Sequence, residues 1–373
     1  MNDADLEITG PPPATLHIDL GALAANYRAL VRVAAPAAVA AVVKANAYGL
    51  GVGPVAACLV AAGCRDFFVS SLREGVELRA LQAGVRIFVL EGVAGSAVAC
   101  LRHRLVPVLN TVPEVHAWLD RGGGAPAALQ LDTGMARAGL DAADIAQLVA
   151  TPGLLARLRV ELVLTHLACA DEPEHPLNRV QVERFAALRA PWATVPTSIG
   201  NSAGTLLGPD YRGGLVRPGI ALYGGRPMAR GANPMREVVR LAARVVQVRD
   251  LSAGATAGYG ASWQARGTVR LATVGAGYAD GYPRSLGNRG YVCAAGRRVP
   301  VVGRVSMDLT TIDISSLPAS DLTVGDSVNL YGGGMPLEEA AELAGTLNYE
   351  LLARLSPRVA RDYRGCDVEV AAP

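Results

Sequence analysis

The chain has 373 residues, 51% of them hydrophobic and only 18% charged, enough apolar material for two packed domains or one large domain with an appendage. A formal net charge of +2 argues against a basic nucleic-acid binder and against a polybasic membrane-surface protein. The six cysteines, at positions 58, 64, 100, 169, 293 and 366, form no CxxC pair and fit no zinc spacing. In a chain of this length that usage points to buried, reduced thiols in a cytoplasmic setting. The start, MNDADLEITGPPP, is acidic and Pro-rich and has no signal-type apolar region. No apolar run reaches the ~20 residues of a membrane span.

Residues 1–14 read as a loose lead-in. In LHIDLGALAANYRALVRVA, Leu23, Tyr27, Leu30 and Val31 recur at helical spacing, with Asp19 as a helix-capping residue. Eight apolar, strand-like runs follow at 38–43, 67–71, 86–91, 106–109, 127–132, 160–165, 195–199 and 215–223. Helix-compatible stretches at 53–62, 73–82, 96–103, 113–120, 141–150 and 177–189 separate most of them. Eight doubly buried strands alternating with helices predict an α/β architecture, a (β/α)8 TIM-type barrel over 15–237. No GxGxxG follows the first strand, which disfavours an open doubly wound sheet. From about residue 238 short alternating segments separated by Gly, Pro, Asn and Asp turns predict a C-terminal mainly-β domain over 238–373. PLEEAAELAGTLNYELLARLS, near its end, reads as one or two helices.

On this map the unusual side chains gather at C-terminal strand ends, where barrel enzymes build their sites. The apolar run AAVAAVV stops on Lys44; arginine greatly outnumbers lysine, so this one is conspicuous. A lysine at a strand end is often only reaching for solvent. Held partly dry, its amine is a nucleophile. Arg137 follows strand five, His166 ends strand six, Ser202 follows strand seven, and Arg217 with the Gly219-Ile220 turn lies within strand eight. A single such histidine is more often a satisfied core residue than a catalytic one. The GNSAG loop offers a hydroxyl and close backbone approach at a helix start, as a phosphate needs, although glycine turns alone are common. A lysine facing a phosphate cup suggests pyridoxal phosphate, with an imine to the amine and the phosphate in the cup.

AVVKANAYGLG resembles the cofactor-lysine motif of the alanine racemases, pyridoxal-phosphate enzymes of fold type III. The likeness runs on through LDTGMARAGL, THLACADE, GNSAG and VRPGIALYG, then GYGASW, GYADGYPR, GRVSMDLTTIDI and ARDYRG. The resemblance implies that Lys44 is the Schiff-base lysine and that Tyr48, Ser202, Gly219, Ile220 and Tyr363 hold the phosphate. It implies Arg217 at the pyridine nitrogen, and Arg137 near the ring hydroxyl and the substrate carboxylate. Tyr259 would be the second catalytic base, oriented by His166. Met307, next to Asp308 in SMD, would bind substrate through its backbone. Tyr259 and Met307 would come from a second subunit of a head-to-tail homodimer. The activity implied is exchange of L- and D-alanine through an external aldimine, supplying D-alanine for peptidoglycan in a bacterial cytoplasm. A broader racemase acting on serine or lysine is the alternative, and a non-catalytic cofactor carrier a more remote one. No metal is expected. Many family members carry a carbamylated lysine seven residues before the arginine. Here that position is Gln130, which cannot be carbamylated; either a chloride beside Gln130 and Arg137 substitutes for the carbamate, or Arg137 relies on the cofactor's ring oxygen and water with Gln130 only hydrogen-bonding to it.

Overall fold

The computed structural model describes residues 10–93 and 96–365, and Cys366 lies outside them. Two compact units emerge. One comprises Leu20–Val238; the other joins the described residues up to Asp19 with Val239–Arg364.

The first unit opens with helix α1 (Leu20–Ala34), which buries Leu23, Tyr27 and Leu30 and leaves Val31 exposed. Its strands are β2 (Ala38–Val39), β3 (Ala41–Val42), β4 (Asp66–Val69), β5 (Arg86–Val89), β6 (Val106–Leu109), β7 (Ala127–Gln130), β8 (Val160–Leu164), β9 (Thr197–Ser198) and β10 (Leu215–Val216). β3 to β9 pair in order, each parallel to the next. β10 pairs parallel with β2, and the Gly214 N–H donates to the Thr197 carbonyl at 2.8 Å, so the sheet closes on itself. The strands are short and buried on both faces, which is why they read as unbroken apolar runs. Inside the ring Phe68 stacks on Phe88 at 4.5 Å between centroids. Helices cross between strands at Val52–Ala61 (α2), Leu72–Leu81 (α3), Ala97–Arg102 (α4), Val112–Arg121 (α5), Ala142–Ala150 (α6), Leu154–Arg157 (α7) and Leu177–Leu188 (α8), and α9 (Ser202–Leu207) follows β9.

Two strand ends differ from expectation. The first strand is broken in two and stops at Val42; Lys44 instead opens a tight turn. The eighth stops at Val216, because Pro218 cannot donate to a ladder, and Arg217, Gly219 and Ile220 lie in the turns that follow rather than in a strand.

The second unit begins with β1 (Ala14–Asp19), so the expected lead-in ends in a strand. Ala14, Leu16 and Ile18 are buried and alternate with less buried neighbours, the period of a strand. The remaining strands are β11 (Val239–Leu251), β12 (Thr256–Ala257), β13 (Trp263–Gln264), β14 (Val269–Val274), β15 (Tyr291–Ala294), β16 (Arg297–Pro300), β17 (Thr310–Asp313), β18 (Ser327–Tyr331) and β19 (Ala360–Arg364). The main sheet runs β16-β15-β18-β11-β1-β19. Thus β1 lies between β11, antiparallel, and β19, parallel. The helical stretch resolves into two helices, α10 (Leu337–Ala344) and α11 (Asn348–Ala353), separated at Gly345, which takes a left-handed conformation.

Candidate active site

Lys44 is the only lysine in the chain. It is half-buried, and burial together with the nearby Arg137 charge pulls its amine below the usual lysine value, while Glu74 pulls the other way. The backbone that follows it is unusual. Ala45, Asn46, Ala47 and Tyr48 all have φ between 53° and 55°. This is a single left-handed turn built from non-glycine residues, closed by Ala47 N–H to the Val43 carbonyl and Gly49 N–H to the Ala45 carbonyl, each 2.8 Å. Such residues cost about 1–2 kcal/mol each. Gly49 and Gly51, at φ 82° and 102°, complete the reversal into α2.

The turn ends on Tyr48, whose buried ring packs on Tyr223 at 4.8 Å, while the Tyr223 hydroxyl donates to the Val42 carbonyl at 2.9 Å. A Cβ at Gly219 would lie 2.2 Å from the Tyr48 hydroxyl, so only glycine fits there. Ser202, at the start of α9, accepts from the Gly219 N–H at 2.9 Å and the Ala221 N–H at 3.3 Å through Oγ. Asn201 caps α9 by accepting from the Gly204 N–H at 2.9 Å. Tyr48, Ser202, Gly219 and Ile220 therefore come together as one cradle of hydroxyls and backbone N–H groups.

Arg217 is only 5% exposed. Its guanidinium donates to Ser198 Oγ at 2.5 Å and to the Thr165 carbonyl at 2.6 Å, and sits 5.8 Å from the Phe68 ring centroid. Burial lowers it to about 10, so it stays a cation at neutral pH. His166 Nδ1 lies 3.5 Å from the same guanidinium. Burial first, then the Arg217, Arg137 and Lys44 charges, drive His166 down to about 3, which keeps it neutral. Nδ1 faces a donor, so the ring proton is assigned to Nε2.

Arg137 leaves a loop in which Asp132 Oδ1 accepts from the Gly134, Met135 and Ala136 N–H groups at 2.9–3.1 Å. It is exposed in the described chain. Gln130 is buried, and its amide donates to the Ala138 carbonyl at 2.9 Å, tying the loop back to β7.

The remaining candidates belong to the second unit. Tyr363 is in β19, half-buried, with its hydroxyl pushed up by burial. Tyr259 is 72% and Met307 53% exposed, so neither is a core residue. The loop carrying Met307 is firmly built. The Tyr278 and Ala279 N–H groups donate to the Ser306 and Met307 carbonyls at 3.1 and 3.0 Å. A Cβ at Gly277 would come within 2.3–2.5 Å of those same backbones. Arg358 grips the buried Asp280 with two bonds, 2.7 and 3.0 Å, and reaches Asp308 at 2.8 Å. Sequence reasoning missed Asp280, Arg358, Ser198 and Thr165, and also Glu74, whose Oε1 accepts from the Ala45 N–H at 2.7 Å. For Glu74 the S-x-x-E pattern of a helix start was the available signal.

Cations dominate the barrel mouth: Lys44, Arg137 and Arg217. An anionic group beside an amine-reactive carbonyl suits both that charge and the cradle around Gly219. These features define a class, the barrel enzymes that seat a phosphorylated aldehyde cofactor on a lysine. The comparisons narrow it. The model of the alanine racemase N-terminal domain matches residues 18–227, and that of the alanine racemase C-terminal domain matches 238–363. The alanine racemase of Rhodospirillum rubrum is 47% identical over 94% of this chain and 96% of its own. The catabolic alanine racemase of Agrobacterium fabrum is 46% identical over 96% and 94%. A crystal structure of alanine racemase from Bartonella henselae, with covalently bound pyridoxal phosphate, superposes at a TM-score of 0.90, with 38% identity over 95% of this chain and all of that one. The chain belongs to the alanine racemase family. Among the described residues no group of three His, Cys, Asp or Glu side chains is placed to hold a metal ion, and no helix is long and apolar enough to cross a membrane.

Proposed function

We infer that the chain interconverts L- and D-alanine with pyridoxal phosphate. The observation that carries this reading is the single lysine at the barrel mouth, half-buried and with its basicity lowered, opening the turn whose last residue, Tyr48, lines a cradle that only a glycine at 219 permits. When bound, the cofactor supplies an electron sink that makes the α-proton of an amino acid removable. Tyr48, Ser202, Gly219, Ile220 and Tyr363 hold its phosphate. Arg217 faces the ring nitrogen and, as a permanent cation, takes no proton from it. Lys44 moves a proton on one face of the substrate carbon and Tyr259 on the other. Neutral His166 orients Tyr259 through its Nε2–H, and Arg137 with the Met307 backbone positions the carboxylate. Incubating the full-length protein with the cofactor and single L-amino acids, then resolving products by chiral chromatography, tests the activity. D-alanine forms fastest; equal rates on serine or lysine would replace alanine specificity with a broad racemase, and no product at all would leave the carrier reading.

The site is completed by a second copy of the chain in a head-to-tail homodimer. The exposure of Tyr259, and of Met307 on a loop otherwise tightly braced, supports this arrangement. Mixing Lys44→Ala and Tyr259→Phe proteins under conditions of subunit exchange restores about a quarter of parental activity, since half the dimers are mixed and each has one intact site. Absence of recovery in verified heterodimers would refute sharing.

A chloride beside Arg137 and Gln130 takes the place of the carbamate. The Gln130 amide spends one N–H on the Ala138 carbonyl and has a second for an anion. Activity then rises with halide and ignores bicarbonate. A bromide-soaked crystal without an anomalous peak between the two residues would dispose of the chloride.

A further inference from the structure

The left-handed turn after Lys44 needs a restraint from outside itself. Its internal bonds, and the Val52 N–H donated to Asn46 Oδ1 at 2.8 Å, are local to residues 43–52. At its far end the Tyr48 ring packs on Tyr223; at its near end, beside the lysine, a long-range restraint is Glu74, 29 residues on from Ala45. Glu74 is the third residue of α3 and forms a capping box with Ser71, whose Oγ accepts the Glu74 N–H at 3.3 Å. In an ordinary capping box the carboxylate serves only its own helix start. Here the reach to Ser71 N–H is the long bond, 3.4 Å, and the short ones go elsewhere. Oε2 accepts from Ser70 N–H at 2.7 Å and Oε1 from Ala45 N–H at 2.7 Å. One carboxylate thus joins the end of β4 to the first residue after the lysine. Charged acceptors make the stronger class of hydrogen bond.

We propose that Glu74 is a positioning residue for Lys44: its carboxylate clamps the left-handed turn to the β4–α3 junction and so fixes how the amine enters the barrel. The proposal rests on Lys44 being the cofactor lysine. The charged or titratable groups around the amine are Glu74, Arg137 and His166, and Glu74 supplies the negative charge among them. Removing that charge lowers the amine further and leaves more of it unprotonated at a given pH.

Because the chain has one lysine, amine acetylation reports Lys44 and the α-amino terminus alone. Full-length Glu74→Gln, Glu74→Asp and Ser71→Ala proteins are stripped of cofactor. Each is acetylated across a pH series and digested for mass spectrometry, and amide hydrogen exchange is followed in parallel. In Glu74→Gln the pH midpoint of Lys44 acetylation falls, and exchange in peptides covering 43–49 speeds roughly tenfold or more. Glu74→Asp keeps the charge but is one methylene short of Ala45, so exchange speeds while the midpoint moves less. Ser71→Ala weakens the helix cap and leaves exchange at 43–49 unchanged. In the loaded enzyme Glu74→Gln lowers kcat roughly ten- to a hundredfold with KM for alanine little altered, the mark of misplacement rather than lost binding. A Glu74→Gln protein in which 43–49 exchange and the Lys44 midpoint both match the parent would overturn the proposal. If Lys44→Ala instead keeps cofactor and activity, the assignment of the lysine fails, while the exchange results still decide whether Glu74 clamps the turn.

Discussion

Lys44→Arg abolishes racemisation, with a loss of at least about 10⁴-fold, because covalent attachment and a proton-transferring base disappear together. Arginine keeps the positive charge and much of the length, so the variant separates the chemistry of the amine from mere charge at the barrel mouth. The same assignment is visible without turnover. Borohydride reduction of the loaded parent fixes the cofactor permanently, and the mass increase must lie on the peptide containing Lys44, the single lysine available. In Lys44→Arg no such increase survives denaturation. A variant that retains a percent or more of parental activity, or a reduced cofactor found outside that peptide, would end the assignment.

Tyr259→Phe slows racemisation by about 10²–10⁴-fold, the usual contribution of one well-placed acid or base. The loss is asymmetric in its first step. With Lys44 assigned to the D-enantiomer and Tyr259 to the L-enantiomer, as the family resemblance implies, α-proton exchange from L-alanine in deuterated water collapses, while exchange from D-alanine continues on the Lys44 face. The cofactor stays bound, since Tyr259 belongs to the β-rich unit and the cradle around Ser202 and Gly219 to the barrel. Undiminished exchange from L-alanine would remove Tyr259 from its role. Both effects can be read on one protein preparation each, by mass or proton resonance of the recovered alanine.

The barrel was legible because its strands are buried on both faces. Runs such as Phe67-Phe68-Val69 and Ile87-Phe88-Val89 have no solvent side to interrupt them. The crossing helices announce themselves through caps: Ser71, Thr111 and Asp141 each accept a backbone N–H from three residues on. The strand ends were harder, and they are where the site is. Of Ala45-Asn46-Ala47-Tyr48 only Asn46 readily adopts a left-handed backbone, and the alanines suit an ordinary helix; with Gly49 and Gly51 it gives no more than a hint of reversal. Likewise Val216 to Tyr223 is apolar enough to read as strand, but Pro218 and the close approach of Tyr48 to Gly219 divert it into turns. ATLHID alternates as a strand should, yet its partners lie more than 200 residues away and no local pattern names them. Glu74 could be recognised as a capping residue, but its bond to Ala45 depends on two loops meeting in space.

The position of β1 sets an order of events during synthesis. This strand leaves the ribosome long before its partners, since Ile18 pairs with Val239 on one side and with Tyr363 on the other. At about 5–20 residues per second, β11 emerges roughly 10–45 s after β1, and β19 some seconds later still. Throughout that interval the entire barrel can form while Ala14, Leu16 and Ile18 wait without a sheet. An apolar strand kept single for so long is a ready partner for another chain's edge. That strand is the one whose mispairing must be prevented during synthesis, and a polar fusion placed just ahead of Ala14 acts as a gatekeeper against it more than as a load on the finished fold.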